Sequence, residues 1–408
     1  MSSSRMILQA KPPLLPPAAG ETERLEMRVH ERMEALEAAW RALERDPSVS
    51  MHQGYDWCSA WVRAHPGLRL ALVEGRAGGR TVMILPLVIA RRRGSHVAGY
   101  IGSAYSNING GLFDPAARID PDALGNGIRQ ALKGRADLMV LERVPLQWRE
   151  RLSPLAYLSH TENQNRAFQV PLFQSFEDTL RQVNAKRRRK KFRLQQRRLE
   201  EAGGYLVIDT LEPAEQHALL DEFFRQKAER FKAQGLPDVF ADAPVRAFFH
   251  ALLDAPRDDA DYPLRLHALR LKEDGGPILA VTGTSRKGDH VICQFGSIRD
   301  DLLPEASPGE FLFWYVIEQA CHEGASIFDF GIGDQNYKRS WCTVETVHYD
   351  VLVPITLLGH LSAGIHRLAV RAVAEIKARP RLYGALQRLR QRRTAAGASE
   401  PETGEEPA

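Results

Sequence analysis

Apolar positions along the chain follow two rhythms, one of about 3.6 residues and one of 2, and the two alternate from Leu25 onward. Residues 29–45 place Met33, Leu36, Trp40 and Leu43 on one helical face. A Pro-Ser turn leads to a short helix predicted over QGYDWCSAWVRAHPG, where Trp57 and Trp61 stand four apart as packing residues. Residues 68–94 read as a hairpin, two β-rich runs around a Gly-rich turn at 75–79. The stretch VAGYIGSAYSNINGGLFDP reads as a loop, in which Tyr105, Asn107 and Asn109 are candidates to line an acceptor cleft. A helix over 120–132 and a strand over 136–144 complete this half.

The second half repeats the alternation. A strand at 168–172 precedes a long basic helix over 175–202, stopped by Gly203-Gly204. A strand at YLVIDT, helices over 213–233 and 242–254, and a strand pair turning at Asp274-Gly275-Gly276 come next. Then come the strand HVICQFGSI, the helix EFLFWYVIEQACHEG and the strand ASIFDFGIG. Residues 357–393 are helical with a break at Pro380. Leu361, Ile365, Leu368, Ala372 and Ile376 share a face expected to pack on the body, with an anionic membrane surface as the other reading. This order predicts an α/β (α+β) fold of two lobes, each a mixed sheet flanked by helices, with a basic helical extension. The expected divisions are a disordered 1–24, lobes over 25–170 and 171–356, the extension over 357–395 and a disordered acidic tail over 396–408.

Charge changes the picture. The net of +4, from 55 Lys+Arg and 51 Asp+Glu, suggests indifference to polyanions. Yet residues 181–198 carry +10 and residues 359–393 carry +8, which leaves −14 for everything else. Ten cations in one helix repel each other strongly without a counter-anion, so this segment is a candidate polyanion surface. The four cysteines fit no zinc spacing and read as reduced, and no histidine pair has metal-ligand spacing, so no metal is expected. The longest apolar run, about ten residues at 81–90, is too short to span a bilayer, and the N-terminus lacks a signal-peptide core. A cytoplasmic protein, at most peripheral to the inner membrane face, is expected.

Two places hold candidate chemistry. Ser307-Pro308-Gly309 stands between a strand and a helix, with Ser307 as N-cap and Pro308 at the first helical position. Free N–H groups and the helix dipole there suit an anion. The next strand ends in DFGIGDQNYKRSW, which sets Asp329, Asp334, Tyr337 and Lys338 among flexible glycines beyond a strand end.

These motifs carry a resemblance. SPG at 307–309, Gly324, FDFG at 328–331, Gly333-Asp334, Tyr337-Lys338 and Trp341 resemble the acetyltransferase domain of the CelD/BcsL group. That group lies in the GNAT superfamily of acyl-CoA N-acyltransferases and is related to the Fem peptidoglycan aminoacyltransferases. The resemblance implies two GNAT-like lobes and direct acyl transfer to an amine, in polysaccharide, cellulose or cell-envelope synthesis. It puts Lys338 at the Fem-type Phe-Lys lysine, as oxyanion stabiliser, with Asp329 or Asp334 to orient the amine and Tyr337 beside them. It implies acetyl-CoA or another acyl-CoA as donor, its phosphates held by Ser307, Pro308 and Gly309 with Arg187 and Arg188 of the basic helix. SPG replaces the superfamily's usual pyrophosphate loop, so a carrier protein or aminoacyl-tRNA stays open as donor. The acceptor is a small or sugar-linked amine. A non-catalytic partner of a polysaccharide synthase is the remaining alternative.

Overall fold

The computed structural model describes residues 6–7, 24–209, 212–258, 260–273 and 275–379. The expected disordered ends (apart from Met6–Ile7 and Arg24), Asp274 and the helix beyond Pro380 lie outside the described residues.

The first half contributes strands β1 (Glu26–His30), β2 (Arg69–Ala77), β3 (Arg80–Arg92), β4 (Ser95–Tyr100), β5 (Leu138–Val144) and β6 (His160–Glu162). Its helices are α1 (Glu37–Leu43), α2 (Tyr55–Ala64) and α3 (Pro121–Leu132). The second contributes β7 (Ala167–Pro171), α4 (Phe176–Arg181), α5 (Ala185–Glu201), β8 (Tyr205–Ile208), α6 (Pro213–Ala233) and α7 (Ala243–Leu253). It continues with β9 (Asp261–Leu271), β10 (Ile278–Lys287), β11 (His290–Ile298), α8 (Pro308–His322), β12 (Ile327–Ile332), α9 (Asn336–Trp341) and β13 (Val344–Thr346). Strand β14 (Tyr349–Pro354) and helix α10 (Leu357–Ala378) follow.

Each sheet runs through four antiparallel strands, then a parallel pair joined through a helix. In the first sheet the order is β6-β14-β5-β4-β3-β2-β1, and β4 and β5 are the parallel pair. In the second, β13-β7-β12-β11-β10-β9-β8, the pair is β11 and β12. The completing strands are exchanged. β14, late in the chain, lies between β6 and β5 of the first sheet, while β7 lies beside β12 in the second. Division at residue 170 therefore needs correction: β7 belongs to the second sheet and β14 to the first. Contiguity in sequence does not reveal this, because backbone pairing and not chain order assigns a strand to a sheet.

Other departures are local. The 175–202 helix divides into α4 and α5, with Asn184 accepting from the Arg187 N–H as a new N-cap. Strands β1 and β4 lie where a helix start and a loop were expected, and β13 and β14 where no element was.

Buried apolar residues form a core beneath each sheet, and a third joins the lobes. There Trp57 of α2 is fully buried and meets Phe248 of α7 edge-on, ring centroids 5.1 Å apart. Tyr105 and Trp61 pack into the same aromatic layer.

Candidate active site

Strands β11 and β12 pair only over His290–Ile292 and Ile327–Asp329. Beyond these residues both strands continue and diverge, to Ile298 and Ile332. This wedge leaves backbone groups without a ladder partner, and buried groups of that kind need other bonds. The side chain of Lys338, on α9, supplies two of them. Its buried Nζ donates to the carbonyls of Gly331 at 3.3 Å and Ile332 at 2.7 Å. Asn107, from the first lobe's loop, donates Nδ2 to Cys293 O at 3.4 Å. Gly331 has φ +70°, and a Cβ there would stand 2.7 Å from the Asn107 side chain, so only glycine admits that loop. The first lobe's own wedge is filled: Asn109 donates its N–H to Arg143 O and Nδ2 to Glu142 O. The second wedge is bridged in the same way by Asn107 and Lys338, and what sets it apart from the first is the buried lysine beside the Asp329 carboxylate.

Asp329 is buried on β12. Its Oδ2 accepts from Gln169 Nε2 at 2.7 Å, and its Oδ1 from the Gly331 N–H at 2.7 Å. His290 Nε2 stands 3.4 Å from Oδ2. Burial raises this carboxyl's pKa, but His290, Gln169 and the Gly331 N–H outweigh it and hold the pKa below the usual range. Asp329 is therefore an anion with its oxygens engaged, suited to positioning and to setting the local field. Burial lowers the Lys338 pKa, while Cys293 and Asp329 oppose that shift. Burial pushes the Cys293 thiol up to about 12 and raises the Tyr337 hydroxyl. The Tyr337 ring stacks on Phe313 at 5.5 Å. Asp334 is different: it is exposed and ion-paired with Arg339 outside the wedge.

The SPG turn stands at the N-terminus of α8, but Ser307 does not cap with its side chain. Its backbone is left-handed, φ 48°, whereas a side-chain N-cap needs extended geometry. Its carbonyl instead accepts from the N–H groups of Glu310 and Phe311. Pro308 occupies the first helical position, and the Gly309 N–H has no acceptor among the described residues. Glu310 in the first turn pairs with Arg188 at 2.7 Å and with Lys191. Arg188 is buried, its guanidinium 4.0 Å over the Trp341 ring, and burial lowers its pKa against the pull of Glu310. Arg187 is exposed on the outer side of α5. With two cations on one carboxylate and a free N–H, the helix start remains net positive and fits a phosphate.

The structure thus brings Lys338, Asp329 and Tyr337 to one wedge and Ser307, Pro308, Gly309 and Arg188 to one helix start. Asp334 and Arg187 lie outside both. His290 and Asn107 were not singled out for this wedge by sequence, because their partners lie 39 and 186 positions away. A cavity of about 290 Å³ in the first lobe, lined by Trp148, Asn109 and Arg151, is bordered from the second lobe by His290. Trp148 tilts over the His290 ring, centroids 4.9 Å apart. Among the described residues no cluster of His, Cys, Asp and Glu suits a metal ion, and no helix is long and apolar enough to cross a membrane.

Residues 186–339, from α5 to α9, match the family described as acetyltransferase (GNAT) domain. That stretch of the second lobe carries a GNAT-type acetyltransferase domain. The crystal structure of FemX is similar over 83% of this chain and 99% of its own, with TM-score 0.58 and 14% identity, a likeness of fold. The C-terminal domain of a putative lysylphosphatidylglycerol synthetase from Agrobacterium fabrum covers 81% of this chain and 96% of its own, with TM-score 0.48 and 15% identity. A tandem GNAT protein from the clavulanic acid biosynthesis pathway covers 81% and 98%, with TM-score 0.43 and 11% identity. No curated protein matches the sequence. The fold is a pair of GNAT-like lobes.

Proposed function

We propose that the chain is an N-acyltransferase that takes an acyl group from acyl-CoA in the β11–β12 wedge and delivers it to an amine. The observation that carries this reading is the wedge itself, edged by Lys338 and Asp329 and closed by Asn107 from the other lobe. In the reaction the amine nitrogen attacks the thioester carbon, the C–S bond breaks, and the amine's proton leaves as the thiol forms. Lys338 uses two N–H bonds on carbonyls, and its third, with its charge, faces the developing oxyanion. Asp329 holds the field and geometry around it. The phosphates rest at the α8 start, on the Gly309 N–H and the cations of α5. The acceptor enters from the first-lobe cavity that His290 borders. A sugar-linked amine in polysaccharide or envelope synthesis, within the cytoplasm, is the setting that the resemblance to the CelD/BcsL group supports.

A second reading, aminoacyl-tRNA as donor, is favoured by the outer side of α5. There Lys186, Arg187, Lys190 and Arg193 are exposed with no acidic partner among the described residues. Thermal melting with acetyl-CoA and longer acyl-CoA esters decides between the two. Saturating donor should add about 2–3 kcal/mol, a rise of a few degrees. No rise with any CoA ester, together with steeply salt-dependent tRNA binding, would replace the first reading by the second. Lys338→Ala should abolish the cellular phenotype. An intact phenotype would mean that the chain acts as a non-catalytic partner.

A further inference from the structure

Helix α10 presents to solvent the apolar face expected to pack inward. Leu357 is 89% exposed, Leu361 62%, Leu368 66%, and Leu358, Ile365 and Val373 are exposed too. The reason lies at its first turn. A Cβ on Gly359 would stand 1.8 Å from Asp137 O, so the helix is pressed on the start of β5 there. That contact turns Gly359, Ala363, His366 and Val370 toward the sheet. Ala363 and Val370 are buried, and His366 pairs with Asp350 at 2.9 Å. The leucines are rotated outward as a consequence.

Cations rim this ridge. Arg91 and Arg92, the last residues of β3, and Arg93 in the turn after it are exposed. Between that turn and α10 runs a groove of about 360 Å³, floored by Val97, Leu138 and Val140 and edged by Arg92, Arg93 and Ile365. Arg91, Arg93 and Arg371 have no ion pair among the described residues. Arg92 pairs with Glu142 at 3.5 Å and Arg379 with Glu375 at 3.6 Å. The following sequence, residues 381–393, adds Arg381, Arg388, Arg390, Arg392 and Arg393 and no acid.

We infer that the α10 ridge docks on an anionic lipid bilayer, with its leucines in the acyl boundary and the arginine turn on lipid phosphates. An aliphatic ridge with a cationic rim is the pattern of a helix lying in a membrane interface. A protein partner fits less well, because the stripe lacks the aromatic anchors of protein interfaces. A second copy fits less well, because a twofold pairing of these ridges brings like-charged rims together.

Flotation of the full chain with phosphatidylcholine vesicles, with and without about one-third phosphatidylglycerol, tests this. Binding should require the anionic lipid and should weaken as salt rises from about 0.1 to 0.5 M. The Leu361→Glu/Leu368→Glu double variant should bind at least about tenfold more weakly. Arg91→Gln/Arg93→Gln/Arg371→Gln should lose about a hundredfold. All five side chains are exposed, so thermal melting of these variants should match the native chain. Equal binding to neutral vesicles, or native affinity in the leucine variant, overturns the inference. So does a dimer in vesicle-free solution that the leucine variant dissociates.

Discussion

Lys338 does two things at once: it ends β12 by holding the Gly331 and Ile332 carbonyls, and it places a charge in the wedge. Replacing it by Ala leaves two buried carbonyls without their donor. A stability loss of about 1–3 kcal/mol is expected beside the loss of turnover. Denaturant titration and single-turnover kinetics on Lys338→Ala check both, and an unchanged midpoint would show that the carbonyl bonds contribute nothing. The closeness of Asp329, Tyr337 and Lys338 was legible in sequence because they lie on and just beyond one strand within ten residues. Their surroundings were not. His290, Gln169 and Asn107 reach the wedge from other strands and from the other lobe, and no local pattern encodes such a meeting. Asp334 shows the converse: its place in the motif was visible, its pairing with Arg339 was not.

The basic helix illustrates the same limit one level up. Its cations were plain to read, but they hid a stripe. Arg188, Phe192, Gln195 and Leu199 recur at helical spacing and turn inward, Phe192 stacking on Phe311 and Trp314. Periodicity that counts only apolar residues misses a stripe containing arginine and glutamine. Arg188 is held there by Glu310 and Trp341, so it joins α5 to α8 more than it offers charge to solvent. Removing one partner of a buried pair is costly. Glu310→Gln should destabilise by about 3 kcal/mol, and Arg188→Met added to it should restore most of that loss. A double-mutant cycle by denaturant unfolding measures this, and additive losses would mean that the pair is not coupled.

Across the whole molecule, three buried histidines make stability depend on pH. Burial is the main cause lowering His52 to about 4, His348 to about 4 and His267 to about 3. All three are neutral in the fold, whereas the unfolded chain takes up protons below about 6.5. Their contribution is complete above about pH 6.5 and is lost as pH falls toward 4. Melting temperature followed from pH 8 to 4.5 should therefore decline most below 6.5, and a flat profile would exclude this account. The α/β alternation was readable from end to end, because each element carries its own period. The exchange of strands was not, because β13 and β14 are short and their partners lie nearly 200 residues away. That exchange has a consequence in time. On the ribosome, β5 is made long before β14, and it waits with an open edge while about 200 further residues are added, tens of seconds at ordinary elongation rates. The first lobe reaches its final pairing only when the second is nearly complete, so the two mature together and in reverse order of dependence.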